Sequence, residues 1–144
     1  MAAGVVDSLI LKLFEIEAVK FGQFTLKSGL HSPVYVDLRM IVSHPQLLRE
    51  VCDVLWNVAV TSKAEFSSIC GVPYTALPIA SCISVKENVP MVMRRKEAKA
   101  YGTKKLIEGE FKKGTKCLII EDVVTSGSSV METVEALATV GLEV

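Results

Sequence analysis

Residues 117–130 read CLIIEDVVTSGSSV, and the rest of the chain takes its meaning from them. Four apolar residues, Cys117 to Ile120, run straight into Glu121 and Asp122, then into a small hydroxyl-rich loop. A short apolar run bounded by turn residues reads as a buried strand. A negative pair at its end is costly unless something arrives to use it. From Ser128 the pattern turns helical as far as Val140, with Gly141 as the C-terminal stop. The stretch is a strand, a loop and a helix, and open α/β sheets bind ligands at the carboxyl ends of such strands.

The chemistry of the loop narrows the ligand. Thr125, Ser126, Ser128 and Ser129 offer hydroxyls beside the free N–H groups of a helix start, and Gly127 permits a φ that other residues resist. A helix N-terminus of this kind favours an anion, most simply a phosphate. The acids cannot bind that phosphate, but they can accept hydrogen bonds from sugar hydroxyls or face Mg²⁺ through water. Together they read as a site for a ribose 5-phosphate. The competing reading is a strand ending in two solvated acids before a Ser/Thr-capped helix. It fits any three of these residues, while the whole ordered run favours the ligand. Neither a GxxxxGK[ST] loop nor a GxGxxG turn is present.

Outward from this motif, strands and helices alternate. Val6, Ile10, Leu13 and Phe14 predict a first helix to about residue 18, and FGQFTLKSGLHSP then breaks the period. VYVDLR (34–39) alternates like a half-buried strand. Ser43 is an N-cap candidate for a second helix with Leu47, Val51, Val54, Leu55 and Val58 on its apolar face. SSICGVP, VPMVMR and CLII predict strands, and YTALPIASCISVK a helix between the first two. RKEAKAYGTKK has no period and predicts a loop, and LIEGEFKKGTKCLII predicts a hairpin-like pair around Lys113-Gly114. The expected class is therefore α/β with a mostly parallel sheet flanked by helices. No repeat or linker divides the 144 residues, so one domain is expected. GLEV after the last helix reads as the beginning of a further strand, which implies a chain incomplete at its C-terminus.

Composition excludes several classes. Sixteen Lys plus Arg balance sixteen Asp plus Glu, so no global basic field exists for nucleic acid. Cys52, Cys70, Cys82 and Cys117 lack CxxC spacing and, with only two histidines, argue against a zinc site. Scattered thiols in apolar contexts suit a reducing, cytoplasmic location. The uncharged run from Phe66 to Val85 is broken by Pro73 and Pro78 and holds five Ser or Thr, which predicts a strand, loop and helix rather than a membrane span.

The ordered motif CLIIEDVVTSGSS resembles the phosphoribosyl-diphosphate signature of type I phosphoribosyltransferases. FTLKSG (24–29) followed by SPVYVDLR, the segment MRRKEAKAYGTKK and the loop CGVPYTALPIA resemble, in the same order, segments of the orotate phosphoribosyltransferases. The match covers nearly the whole chain and is strongest to the N-terminal domain of animal UMP synthases, where the transferase is fused to a decarboxylase. No decarboxylase region occurs here.

The resemblance implies a type I phosphoribosyltransferase fold with an N-terminal helix and strand hood and a mobile loop. It implies transfer of ribose 5-phosphate from 5-phosphoribosyl diphosphate to orotate, with Mg²⁺ carried by the diphosphate near Glu121 and Asp122 rather than held directly. Glu121 and Asp122 would hold the ribose, Asp122 sharing in catalysis, and Val123, Val124 and Thr125 to Ser129 would line the 5-phosphate. Lys99 would be the catalytic lysine, Arg95 and Lys96 diphosphate ligands, and Tyr74 and Thr75 part of the pyrophosphate loop. Thr75 and Tyr101 stand where bacterial members often carry lysine and histidine, which weakens the diphosphate role of the first and removes a titrating group at the second. Lys27 matches a lysine near orotate and the diphosphate. Tyr35 and Val36 align beside the pyrimidine, although strand packing explains Tyr35 equally well. A homodimer with loops shared across subunits is implied, with no nucleic-acid or membrane partner. The family's orotate-gripping arginine follows the next strand, beyond this chain. The alternative is a truncated, non-catalytic fragment that binds the diphosphate or only dimerises.

From Arg94 to Lys105 six cations stand against one acid, Glu97. On charge alone this is a solvated basic loop or a weak nucleic-acid patch. Beside the neighbouring motif it is suited to a leaving pyrophosphate, whose charge grows as its bond to the sugar breaks.

Overall fold

The computed structural model describes residues 3–26, 29–97 and 105–144, and these divide into two compact units at Val58/Ala59. The first unit holds helix α1 (Ala3–Glu15), strands β1 (Val19–Thr25) and β2 (His31–Val36), a 3₁₀ helix (Leu38–Ser43) and most of helix α2 (Pro45–Thr61). The strands form an antiparallel pair whose register shifts between Phe21 and Phe24.

Three expectations are corrected here. β1 was not foreseen, because its run is broken by Gly22 and Gln23, where the register shift absorbs the irregularity. The second strand lies at 31–36 rather than 34–39, since Asp37 caps the 3₁₀ helix, accepting from the Arg39 N–H at 3.1 Å and pairing with its guanidinium. Ser43 therefore ends that helix and does not cap α2, which starts at Pro45, where a missing N–H is no loss. The buried face of α2 begins at Leu47, Val51 and Cys52, while Val58 is 54% exposed. In α1 the buried residue is Leu9, and Ile10 and Phe14 are exposed.

The second unit carries the parallel sheet. β3 (Ser68–Gly71), β4 (Met91–Arg94), β5 (Ile107–Glu108) and β6 (Cys117–Ile120) lie in the order β5-β4-β3-β6. β3 pairs in parallel with both β4 and β6, and β5 closes one edge antiparallel to β4. The expected hairpin between 106 and 120 does not form. A two-residue β5 pairs back onto β4, and CLII instead pairs in parallel with β3 at the other end of the strand order.

Helix α3 (Ala76–Glu87) buries Ala76, Ile79, Ala80 and Ile83, and helix α4 (Ser128–Thr139) buries Thr133, Ala136 and Leu137. Cys70, Val92, Ile107, Cys117, Ala136, Leu137 and Leu142 form the core. Truncating a fully buried leucine such as Leu137 to alanine costs about 2–5 kcal/mol. The four cysteines are free thiols, and burial pushes Cys70 up to about 11. GLEV behaves as its sequence predicted. Glu143 makes a parallel bridge to Lys116, and its carbonyl accepts from the Cys117 N–H at 2.8 Å, so strand pairing begins again beside β6. No described helix is long and apolar enough to cross a membrane.

Candidate active site

The register of the sheet decides which loops meet. Gly71 stands opposite Ile120 on one side and Met93 on the other, so β3, β4 and β6 end level with one another. The segments that leave them, 72–75, 95–97 and 121–127, all start at one carboxyl rim.

At the end of β6 the acid pair is half-buried, and the Asp122 N–H donates to Glu121 Oε1 at 3.0 Å. Burial raises the Glu121 carboxyl to about 7, first through lost hydration and then through a hydrogen bond shared with Asp122, whose charge acts the same way. Lost hydration thus favours the protonated form of Glu121.

Val123 and Val124 are exposed and lead into the cradle. Gly127 takes φ +76° just before α4, and its carbonyl receives the Met131 N–H at 3.0 Å. Ser126 and Ser128 hydroxyls meet at 2.7 Å, and Thr125, Ser126, Ser128 and Ser129 are exposed. A positive-φ turn feeding a helix start, with hydroxyls around it, is suited to an oxyanion.

The basic segment is built differently. Arg95 is anchored at its backbone, where its N–H donates to the Leu106 carbonyl at 2.8 Å, and at its side chain, where Nε meets Glu108 Oε1 at 2.8 Å. Lys96 Nζ lies 5.7 Å from the ring centroid of Tyr74. Tyr74 follows a cis peptide bond after Pro73, and Thr75 stands at the N-cap of α3 without a side-chain capping bond. Tyr74, Leu77, Arg94, Arg95, Lys96 and Glu108 line one cavity of about 430 Å³. The structure thus brings Tyr74, Arg95 and Lys96 together. Glu108 was missed because only the antiparallel pairing of β4 with β5 brings it opposite the arginine segment.

In the first unit, Tyr35 packs its ring against Phe24 with centroids 5.4 Å apart, the ordinary packing its sequence allowed for. Val36 ends β2 and is 39% exposed. A cavity of about 530 Å³ between α1 and α2 is lined by Ser8, Leu9, Lys12, Glu50, Asp53 and Asn57, with Lys12 paired to Glu50, and offers no phosphate cradle. Lys27, Lys99 and Tyr101 lie outside the described residues.

The model of the phosphoribosyl transferase domain matches residues 37–144. The chain belongs to the phosphoribosyltransferase family. Among its relatives, uridine 5'-monophosphate synthase of Bos taurus is 52% identical over 99% of this chain and 30% of its own length. The orotate phosphoribosyltransferase of Chlamydia caviae is 42% identical over 96% of this chain and 67% of its own length. The solved UMP synthase of Leishmania donovani superimposes with a TM-score of 0.84 at 44% identity, over 99% of this chain and 30% of that one. This phosphoribosyltransferase chain therefore spans under a third of the UMP synthases it matches and about two thirds of the bacterial enzyme.

Proposed function

We propose that the chain is the orotate phosphoribosyltransferase part of a pyrimidine-making enzyme, its two units together forming one transferase domain. It moves ribose 5-phosphate from 5-phosphoribosyl diphosphate to orotate, giving orotidine 5-phosphate and pyrophosphate. The observation that carries this is one rim of a parallel sheet bearing an acid pair, a helix-start cradle and a basic segment side by side. Thr125 to Ser129 hold the 5-phosphate, with Val123 and Val124 alongside, and Glu121 and Asp122 accept from the ribose hydroxyls. As the bond from the sugar C1 to the diphosphate oxygen breaks and a bond to an orotate nitrogen forms, Arg95, Lys96 and Lys99 meet the charge gathering on the pyrophosphate. Tyr74, Thr75 and Tyr101 serve the leaving-group side. Lys27, Tyr35 and Val36 serve the orotate side.

Mg²⁺ fits this donor set. No group of three His, Cys, Asp or Glu exists among the described residues to enclose a metal, whereas two adjacent carboxylates can face an ion that phosphate oxygens already hold. Glu121 and Asp122 would face the ion through water, and its charge would neutralise the diphosphate. The reading also includes a cytoplasmic homodimer, supported by Ile10, Leu11, Phe14 and Phe21, exposed apolar residues of the first unit. Loss of orotate absorbance with release of pyrophosphate, dependent on 5-phosphoribosyl diphosphate, tests the assignment. Equal transfer to uracil or a purine would refute it.

A second reading is favoured by the site itself, because every contact described at the rim serves the donor sugar. In that reading the chain binds the diphosphate or dimerises without catalysis. Calorimetry separates the two, since binding of the diphosphate followed by orotate supports transfer, and diphosphate binding alone supports the second.

A further inference from the structure

Arg94 is the last residue of β4, and its side chain is only 9% exposed. Its guanidinium crosses to the second turn of α4. Nη1 donates to Thr133 Oγ1 at 3.1 Å and Nη2 to Glu132 Oε2 at 3.0 Å. The Thr133 hydroxyl, fully buried, donates onward to the Ser129 carbonyl at 2.8 Å. A chain of bonds thus runs from the root of the basic segment to the last residue of the phosphate cradle.

As a source of stability this arrangement is poor. A cation more than nine-tenths buried gives up its hydration, and its carboxylate partner Glu132 is 61% exposed, so the ion pair returns little. Nε is buried with no hydrogen-bond partner among the described residues. An apolar side chain of similar volume would fill the space without those costs. What the guanidinium supplies instead is position and field. It fixes the first turns of α4 against the end of β4. It also sets a positive charge little more than one turn below a helix N-terminus, adding to the dipole that favours phosphate there.

We propose that Arg94 is a positioning residue that ties the 5-phosphate cradle to the root of the basic segment, so that one diphosphate-bearing sugar is gripped at both ends. The proposal rests on the donor-site reading above. It explains why a charge is kept in a place where stability alone would favour leucine or methionine.

The test uses Arg94→Met in the full-length protein that carries this chain. Calorimetry with ribose 5-phosphate, a probe of the cradle, is expected to show binding weakened about tenfold, the scale of one lost charged hydrogen bond. The KM for 5-phosphoribosyl diphosphate rises by a similar factor, while the KM for orotate and the thermal midpoint do not worsen. Arg94→Lys, which keeps the charge but reaches one partner, recovers part of the loss. Ribose 5-phosphate affinity equal to the parent's, or lost only in step with the folded fraction, overturns the proposal. If Arg94→Met does not fold, Thr133→Val carries the same expectation for ribose 5-phosphate affinity and the same refutation, with a lower thermal midpoint, because it removes the relay and leaves the buried Nη1 without its acceptor. A parent protein that binds ribose 5-phosphate but transfers nothing to orotate refutes the proposed activity and leaves the Arg94 test standing. A parent that binds no ribose 5-phosphate refutes both.

Discussion

The two loops that flank β3 on the carboxyl rim are made of different materials. The segment after β6 presents backbone N–H groups, hydroxyls and an acid pair, while the segment after β4 presents Arg95 and Lys96, with further lysines after them. The first is fixed by a helix that starts within it. Among its described residues the second is tied through Arg95, to the Leu106 carbonyl and to Glu108. A phosphate that keeps its charge throughout a reaction is served by rigid neutral donors. A leaving group whose charge grows is served by cations that can approach it.

The sharpest way to break this contrast is Lys99→Ala. If the basic segment acts on the leaving group, turnover falls about 10²–10³-fold, the scale of removing one preorganised donor. The affinity for ribose 5-phosphate, which carries no diphosphate for the basic segment to meet, stays within twofold. Single-turnover kinetics with calorimetry reads both quantities, and unchanged turnover would take the segment out of the chemistry.

Gly71 asks whether the rim between the two loops tolerates change. A Cβ there would lie 2.7 Å from the Ala76 carbonyl oxygen and 2.9 Å from its carbon, atoms of backbone that cannot swing aside. Gly71→Ala is expected to cost about 1–3 kcal/mol through forced displacement of α3 from β3. Chemical denaturation reads the loss, and a wild-type midpoint would show that the close approach is slack.

Much of this was legible in the sequence, and the reasons differ by element. CLIIEDVVTSGSS is local: strand, acids, turn and helix start follow in order, so its geometry follows from contacts among neighbours. β5 was not legible, because two residues carry no periodicity and their partner on β4 is more than a dozen residues away. The same holds for Arg94, which counted only as one of six cations until the fold brought Thr133 and Glu132 to it. Glu108 beside Arg95 is another pair made by topology alone.

The acid pair yields a pH test on the cradle side. Glu121 moves from 4.5 to about 7 in the folded protein, so the native state holds an extra proton between those values. Its ionisation therefore costs stability as pH rises through that window. If ribose hydroxyls donate to both acids, they need the ionised form, and binding expels the proton. Affinity for 5-phosphoribosyl diphosphate is expected to fall up to about tenfold per pH unit below 7 and to level off above it. Glu121→Gln, measured by calorimetry at pH 6, 7 and 8, removes that slope and leaves the titration of the ligand itself. A slope that survives the substitution would mean that the pair does not receive the ribose.

Gly127→Ala gives the smallest effect and tests the rigidity of the cradle most directly. Gly127 sits at φ +76°, where an L-residue pays about 1 kcal/mol, and a Cβ there would meet nothing within 4 Å. The cost is therefore conformational, not steric, and it falls on the turn that aims the first N–H groups of α4. Relaxing toward an ordinary φ would turn those groups from the phosphate. Ribose 5-phosphate binding is expected to weaken about fivefold for that energy, with the chemical step unchanged. A loss confined to the chemical step would mean that the cradle and the basic segment move as one body, and the contrast between fixed donors and approaching cations would fail.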